Sequence, residues 1–229
     1  MGAPSPIATS VLLRFDDLHD TVGHCNYAHS EIVPIMTEAD ERVLDRINQT
    51  LRLDGLLVLI ERYHSHARPG VPRETLDRYA EPFSASVGGQ PDVDAFHEEV
   101  DSRLTDSRTW SGKDSIYRLD SGRISRYPAT WHDRLGDTTD VRRYVAFLQE
   151  EASEFKSDIG QGGAGPGIPE QPLLDAIAVI GRTDRDEVKT ELAELRDRGE
   201  IAEDADQHPN PGVVLADEQG ELRDSSLDE

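Results

Sequence analysis

The sequence predicts a mainly helical α+β chain, with small β-hairpins, in two modules joined by a Gly/Pro linker. Three observations carry this. Apolar residues recur three to four apart over several segments, as amphipathic helices require. Two short runs of strand-prone residues flank a turn at Asp120-Ser121-Gly122. Residues 157–172 (SDIGQGGAGPGIPEQP) lack periodicity and are dense in Gly and Pro.

Composition bounds the setting. The 229 residues carry 46 Asp and Glu against 24 Lys and Arg, a net charge of −22. Lysine occurs only at Lys113, Lys156 and Lys189, so the other 21 cations are arginine. Excess carboxylate, scarce lysine and the single Cys25 match the cytoplasmic protein of an extreme halophile. In molar salt the Debye length falls to roughly 3 Å, which makes a dense carboxylate surface tolerable. Local basic patches then say more about partners than the total charge does. A lone cysteine forms no internal disulfide. The longest apolar runs, such as Leu56–Ile60, are far short of a membrane span. The expected location is therefore the cytoplasm.

Residues 1–36 are expected to be a poorly ordered extension. They hold His19, His24, Cys25 and His29 without a second ligand pair, so no metal is expected. Met36-Thr-Glu-Ala-Asp-Glu41 looks like a natural start, with an acidic first turn behind a Thr37 cap, which places a possible translation start at Met36.

A helical N-terminal domain is expected over 37–156. Thr37–Arg52 reads as an amphipathic helix with Val43, Leu44, Ile47 and Leu51 on one stripe, interrupted by Asp54-Gly55. Leu56–His66 is a second helix, apolar nearly all round and so central; His64 and His66 fall at its C-terminal end. Pro72–Tyr79 is a short third helix, which Pro82 breaks, and 84–91 is a loop. Asp92 caps a helix over Val93–Leu104 with Phe96 and Val100 inward.

The hairpin follows at once. A two-residue turn at Ser121-Gly122 pairs Leu119 with Ile124 and Tyr117 with Arg126. One face then carries Tyr117, Leu119 and Ile124, and the other Arg118 and Arg123. Helix, helix, helix, hairpin over 56–135 is the winged-helix order. Its outward arginine face would be the wing, which in that fold touches phosphates.

Pro128–Arg134 and Asp140–Phe155 read as two further helices. Tyr144, Phe147 and Phe155 lie either in the core or on a partner helix. Flanking helices of this kind make the expected homodimer, by analogy to the fold. The Gly162–Gly167 run lacks a P-loop's Lys-Ser/Thr and carries a proline where amides would be needed, so it is not a phosphate cradle.

The second module is expected at 173–217: a helix from Leu173 to Ile180, a Thr183-capped helix over Asp184–Arg198, Gly199 as its C′ residue, and strands at 200–203 and 212–215. Val188, Leu192, Leu195 and Gly199-Glu200-Ile201 resemble the small winged-helix domain at the C-termini of archaeal replication helicases and in archaeal regulators. The resemblance covers about 45 residues, and implies a module that reads DNA or binds protein. This copy lacks the usual middle helix. Residues 218–229 read as a disordered acidic tail.

Function follows from where cations gather. The residues expected to contact DNA are Lys113, Arg118, Arg123 and Arg126 in the first module and Arg185 and Lys189 in the second. Arg134, Arg142 and Arg143 would support them, with Trp110 and Tyr117 interleaved. Against this, the helix from Val93 exposes Asp94, Glu98 and Asp101, which suit neither phosphates nor base acceptors. No Gly-x-Ser-x-Gly or His-Glu-x-x-His is present, so no enzyme activity and no cofactor are expected. The expected function is a DNA-binding winged-helix transcriptional regulator of a halophilic archaeon. The alternative is a protein–protein adaptor built from the same modules.

Overall fold

The computed structural model describes residues 37–49, 52–64, 68–87, 92–150, 152–159, 167–203 and 212–216. The expectations for residues 1–36, with His19, His24, Cys25, His29 and Met36, and for Leu51, His66 and the acidic tail lie outside the described residues. The chain is mainly helical with two small sheets.

Helix α1 (Glu38–Ile47) starts at Thr37, as its sequence indicates. The Thr37 hydroxyl accepts the Asp40 amide, and the Asp40 carboxylate accepts the Thr37 amide, a reciprocal capping box. Helix α2 spans Leu53–Tyr63 and therefore includes Asp54-Gly55, which were expected to interrupt. Both fall in its first turn, where amides lack helical partners in any case, so the glycine is cheap there. Burial of Leu53 draws the start forward.

Strand β1 (Val71–Pro72) leads into α3 (Arg73–Asp77), and α4 runs Ala80–Ser86. The expected loop at 84–91 is thus helical through Ser86. Pro82 does not break the helix, because it occupies the third position, where no amide is needed. Helix α5 (Val93–Arg103) has the expected Asp92 cap, which accepts the Ala95 amide at 2.8 Å.

Strands β2 (Leu104–Thr105), β3 (Ile116–Arg118) and β4 (Arg123–Ser125) complete a sheet of order β1-β4-β3-β2. The β1–β4 and β3–β4 pairs are antiparallel and β2–β3 is parallel. The hairpin register differs from expectation by one residue. Its turn has three residues, Asp120–Gly122, closed by Gly122 at φ +70°. Tyr117 therefore faces Ser125, and Arg118 faces Ile124. A one-residue slip exchanges the faces, so the expected arginine face does not form. Ile116 and Ile124 enter one core, whereas Tyr117 and Tyr127 enter another. The hairpin divides two cores instead of turning one side to solvent.

Helices α6 (Ala129–Leu135), α7 (Val141–Glu150) and α8 (Ser153–Ile159) follow. The expected single helix 140–155 is two, and α8 reaches into the stretch read as linker. Residues 160–166 lie outside the described residues, and β5 (Ile168–Pro169) and α9 (Glu170–Ile180) occupy the rest of that stretch. Helix α10 (Arg185–Asp197) is capped by Asp184 rather than Thr183, with the Asp184 carboxylate accepting the Asp186 amide at 2.7 Å. Gly199 closes it at φ +71°, as expected of a C′ glycine. Strands β6 (Ile201–Glu203) and β7 (Gly212–Leu215) give the sheet order β5-β7-β6, antiparallel throughout.

The two sheets share a plan: a two-residue strand, helices, then a hairpin whose last strand pairs with the first. Gly70-Val71-Pro72 and Gly167-Ile168-Pro169 occupy equivalent places. In each, the aliphatic residue is wholly buried and the proline is the N-cap of the next helix. In each, a Cβ on the glycine would strike the last strand, at 2.6 Å from the Ile124 carbonyl oxygen or 2.3 Å from Gly212. Counted this way, the second unit does not lack a helix: α7 and α8 supply the one that precedes β5. One core takes Val43, Leu57, Ile60, Leu76, Phe96 and Val100. The other takes Trp110, Trp131, Tyr144, Phe155, Ile177 and Leu192, among others. Tyr144 and Phe147, alternatives for a partner-helix surface, are buried in this second core.

Candidate functional site

The cations expected to contact nucleic acid are held in very different ways. Arg126 is buried. Its guanidinium lies 4.8 Å from the Trp110 ring and donates to the Ser115 and Lys113 carbonyls at 3.2 and 2.7 Å. Arg123 donates from Nε to the Pro69 carbonyl at 2.8 Å and from its terminal nitrogen to the Gly70 carbonyl. Both thus tie the hairpin to neighbouring backbone. Arg185 bonds the Asp175 carboxylate at 2.8 Å and the Gln171 side chain. Arg118 is half-exposed and paired with Asp106 at 3.3 Å. Lys113 and Lys189 are exposed, with no carboxylate partner among the described residues.

The supporting residues are similarly engaged. Arg142 bridges Asp140 and Glu200, at 3.0 and 2.7 Å. Arg143 reaches Asp137 at 4.0 Å, and Arg134 lies over the Phe147 ring. Trp110 and Tyr117 are buried, so neither ring offers a stacking surface to a base. Lys113 and Arg126 are brought together, but through the lysine's carbonyl and not as a shared cationic patch. The outward faces of α5 and α10 are acidic. Asp94, Glu98 and Asp101 are exposed on the first, and Glu187, Glu194 and Asp197 on the second.

Two buried polar clusters were not foreseen. In one, the Asp40 carboxylate accepts the Tyr79 hydroxyl at 2.7 Å and approaches His64 Nε2 at 3.3 Å. Burial alone would raise the Asp40 carboxyl, but the Tyr79 and Thr37 bonds and the Arg78 charge outweigh it and hold it at about 2. Burial and that same bond push the Tyr79 phenol up.

The second cluster joins α2, β4 and α6. Glu61 Oε2 accepts the Arg126 amide at 2.8 Å, and Ser125 Oγ lies 2.9 Å from His132 Nε2. Burial raises the Glu61 carboxyl to about 7, opposed by the Arg126 amide, the Ser125 hydroxyl and the Arg126 and Arg123 charges. Burial and the Arg182 charge lower His132 to about 4. Acid, serine and histidine in one cluster suggest acyl transfer, but the order is wrong. A triad needs the imidazole between acid and serine; here the serine is central and wholly buried. Glu61 had one legible sign: it follows Leu57 by four residues, so a carboxylate continues an apolar stripe.

Among the described residues no group of three or more His, Cys, Asp or Glu is placed to hold a metal. No described helix is long and apolar enough to cross a membrane. A cleft of about 550 Å³ opens where α1 and α2 meet α8 and α9, with Arg46, Arg62, Arg126 and Arg185 along it. No protein-family model matches the chain, and neither a curated protein nor a solved structure matches it.

Proposed function

We propose that the chain is a tandem winged-helix protein of a salt-adapted archaeal cytoplasm, acting as a non-enzymatic adaptor that binds protein. The twice-repeated order of strand, helices and hairpin, with the first strand antiparallel to the last, supports the winged-helix reading. The observation that carries the adaptor reading is the division of charge. Arg123 and Arg126 point inward onto backbone carbonyls, while the outward faces of α5 and α10 carry carboxylates. In a winged helix those two helices occupy the groove-reading position, and carboxylates there repel phosphate. They suit a partner with a basic or amide-rich surface, and an ion-pair interface of that kind gives specificity more than raw affinity.

A second reading, a DNA-binding regulator, is favoured by Lys189, an exposed cation on α10 without a carboxylate partner among the described residues. Cross-linking of the full chain at molar potassium separates the two. The adaptor reading expects links from α5 and α10 to one defined protein, lost when Asp94, Glu98 and Asp101 are changed to lysine. Sequence-selective retention of duplex DNA by the unaltered chain, with no such protein, would overturn it.

A further inference from the structure

The cleft between α1/α2 and α8/α9 has the chemistry of a small-molecule site. Its volume of about 550 Å³ falls in the range that takes drug-sized ligands. Its lining is mixed: Val58 and Leu59 of α2 and Phe155 and Ile159 of α8 form an apolar strip among Arg, Asp and Gln side chains. Among the described residues, Arg46, Arg62, Arg126 and Arg185 line it. Arg46 and Arg62 both line the cleft, and both guanidiniums pack against the Tyr63 ring, at 5.2 and 5.6 Å from its centroid.

These two arginines differ from most in the chain. Neither has a carboxylate within 4.0 Å among the described residues, and their only polar contact among those residues is a long bond from Arg46 to the Arg42 carbonyl. The two carboxylates along the cleft already have arginine partners, Asp54 with Arg52 and Asp175 with Arg185, each at 2.8 to 2.9 Å. A chain of net charge −22 thus has, among the described residues, two guanidiniums without a carboxylate partner along a cleft with an apolar strip.

We propose that this cleft binds a small organic anion, a carboxylate, sulfonate or phosphate joined to an apolar or aromatic body. Arg46 and Arg62 take the acid group, and Val58, Leu59 and Ile159 take the body. Gln49 and Gln171 at the rim can bond polar substituents. Because the walls come from α1 and α2 on one side and α8 and α9 on the other, an occupant would hold the two cores together. The site stands whether the outward faces of α5 and α10 meet protein or DNA.

The test uses the full chain and the fluorescent probe 1-anilinonaphthalene-8-sulfonate, with its uncharged counterpart N-phenyl-1-naphthylamine as control. The expected result is saturable binding of one sulfonate per chain. The Arg46→Gln/Arg62→Gln variant should weaken it at least tenfold while leaving the circular dichroism and unfolding midpoint unchanged. Val58→Ser, which alters the wall and adds no charge, should weaken it as well. Adenosine monophosphate should compete, and inorganic sulfate at equal concentration should not. Equal binding of the uncharged probe, insensitivity to the arginine substitutions, or equally good competition by inorganic sulfate would each overturn the proposal.

Discussion

The two sheet-bearing units share a chain plan and differ in what fills them. The first builds its core around short aliphatic helices and admits ionisable groups: Asp40 with Tyr79 and His64, and Glu61 with Ser125 and His132 at its border. The second has a wall of Leu, Ile, Val and Ala from α9, α10 and β7, and takes its aromatic rings from α6, α7, α8 and the approach to the hairpin. Trp110, Trp131 and Phe155 meet there, with the indoles stacked at 5.5 Å and the Phe155 ring edge-on at 4.7 and 5.1 Å. One topology can therefore be held by a polar-stitched core or by a dry one. The expected difference is in response, with pH acting through Glu61 and His132 where the two cores meet and packing dominating in the second core.

Several measurements would break or sharpen that contrast. The largest effect is expected from Leu192→Ala, a wholly buried side chain of the dry core, at about 3–4 kcal/mol in denaturant unfolding. Both tryptophans belong to that core, so their emission should follow its loss. Arg126→Ala should cost about 3 kcal/mol, because it strips two carbonyls and the Trp110 face of a buried cation. Gly70→Ala and Gly167→Ala should each cost about 2 kcal/mol or more, since each Cβ meets backbone of the last strand. Losses at both would support the equivalence of the two Gly-aliphatic-Pro corners, with the greater strain at Gly70, whose φ is +69°, and an effect at only one would break it.

The effect of Glu61→Gln is visible as a difference between pH values. The Glu61 carboxyl ionises near 7 when folded, against 4.5 when free. The folded state thus holds more protons between those values, so its contribution is complete below 4.5 and is lost as pH rises through 7. Relative to the parent, the glutamine variant should gain about 3 kcal/mol between pH 4.5 and pH 9, by urea titration at each pH. His132 acts in the opposite sense: lowered from 6.5 to about 4, it removes stability as pH falls through that window. The smallest effect is expected from Arg118→Ala. Its pair with Asp106 is solvent-exposed, and the change should stay within about 0.5 kcal/mol.

Helix existence was legible in the sequence wherever an apolar stripe and a cap coincided, as at Thr37 and Asp92. Boundaries failed where the local rule was positional. Gly55 and Pro82 read as breakers, but both fall in first turns that need no amide. The hairpin was legible as a hairpin, yet its register was not. Asp120-Ser121-Gly122 permits a two- or a three-residue turn, and that one-residue choice moves every side chain to the other face. The consequence reached function, because an outward arginine face was inferred from the wrong register. The burial of Glu61 and the pairing of Asp40 with Tyr79 depend on contacts across 39 to 65 positions, which no local pattern records. The repeated Gly-Val-Pro and Gly-Ile-Pro corners were present in the sequence and would have located the second unit's first strand inside the stretch read as linker.

The central claim is that Arg123 and Arg126 serve the fold and the outward helices do not read nucleic acid. Fluorescence anisotropy of the full chain against labelled duplex fragments, at 0.1 M and 2 M potassium chloride, tests it directly. The account predicts no sequence-selective binding at either salt, and no change on substituting Lys113, Arg118 and Lys189 together by alanine. Selective binding that this triple variant abolishes, with unfolding unchanged, would contradict it.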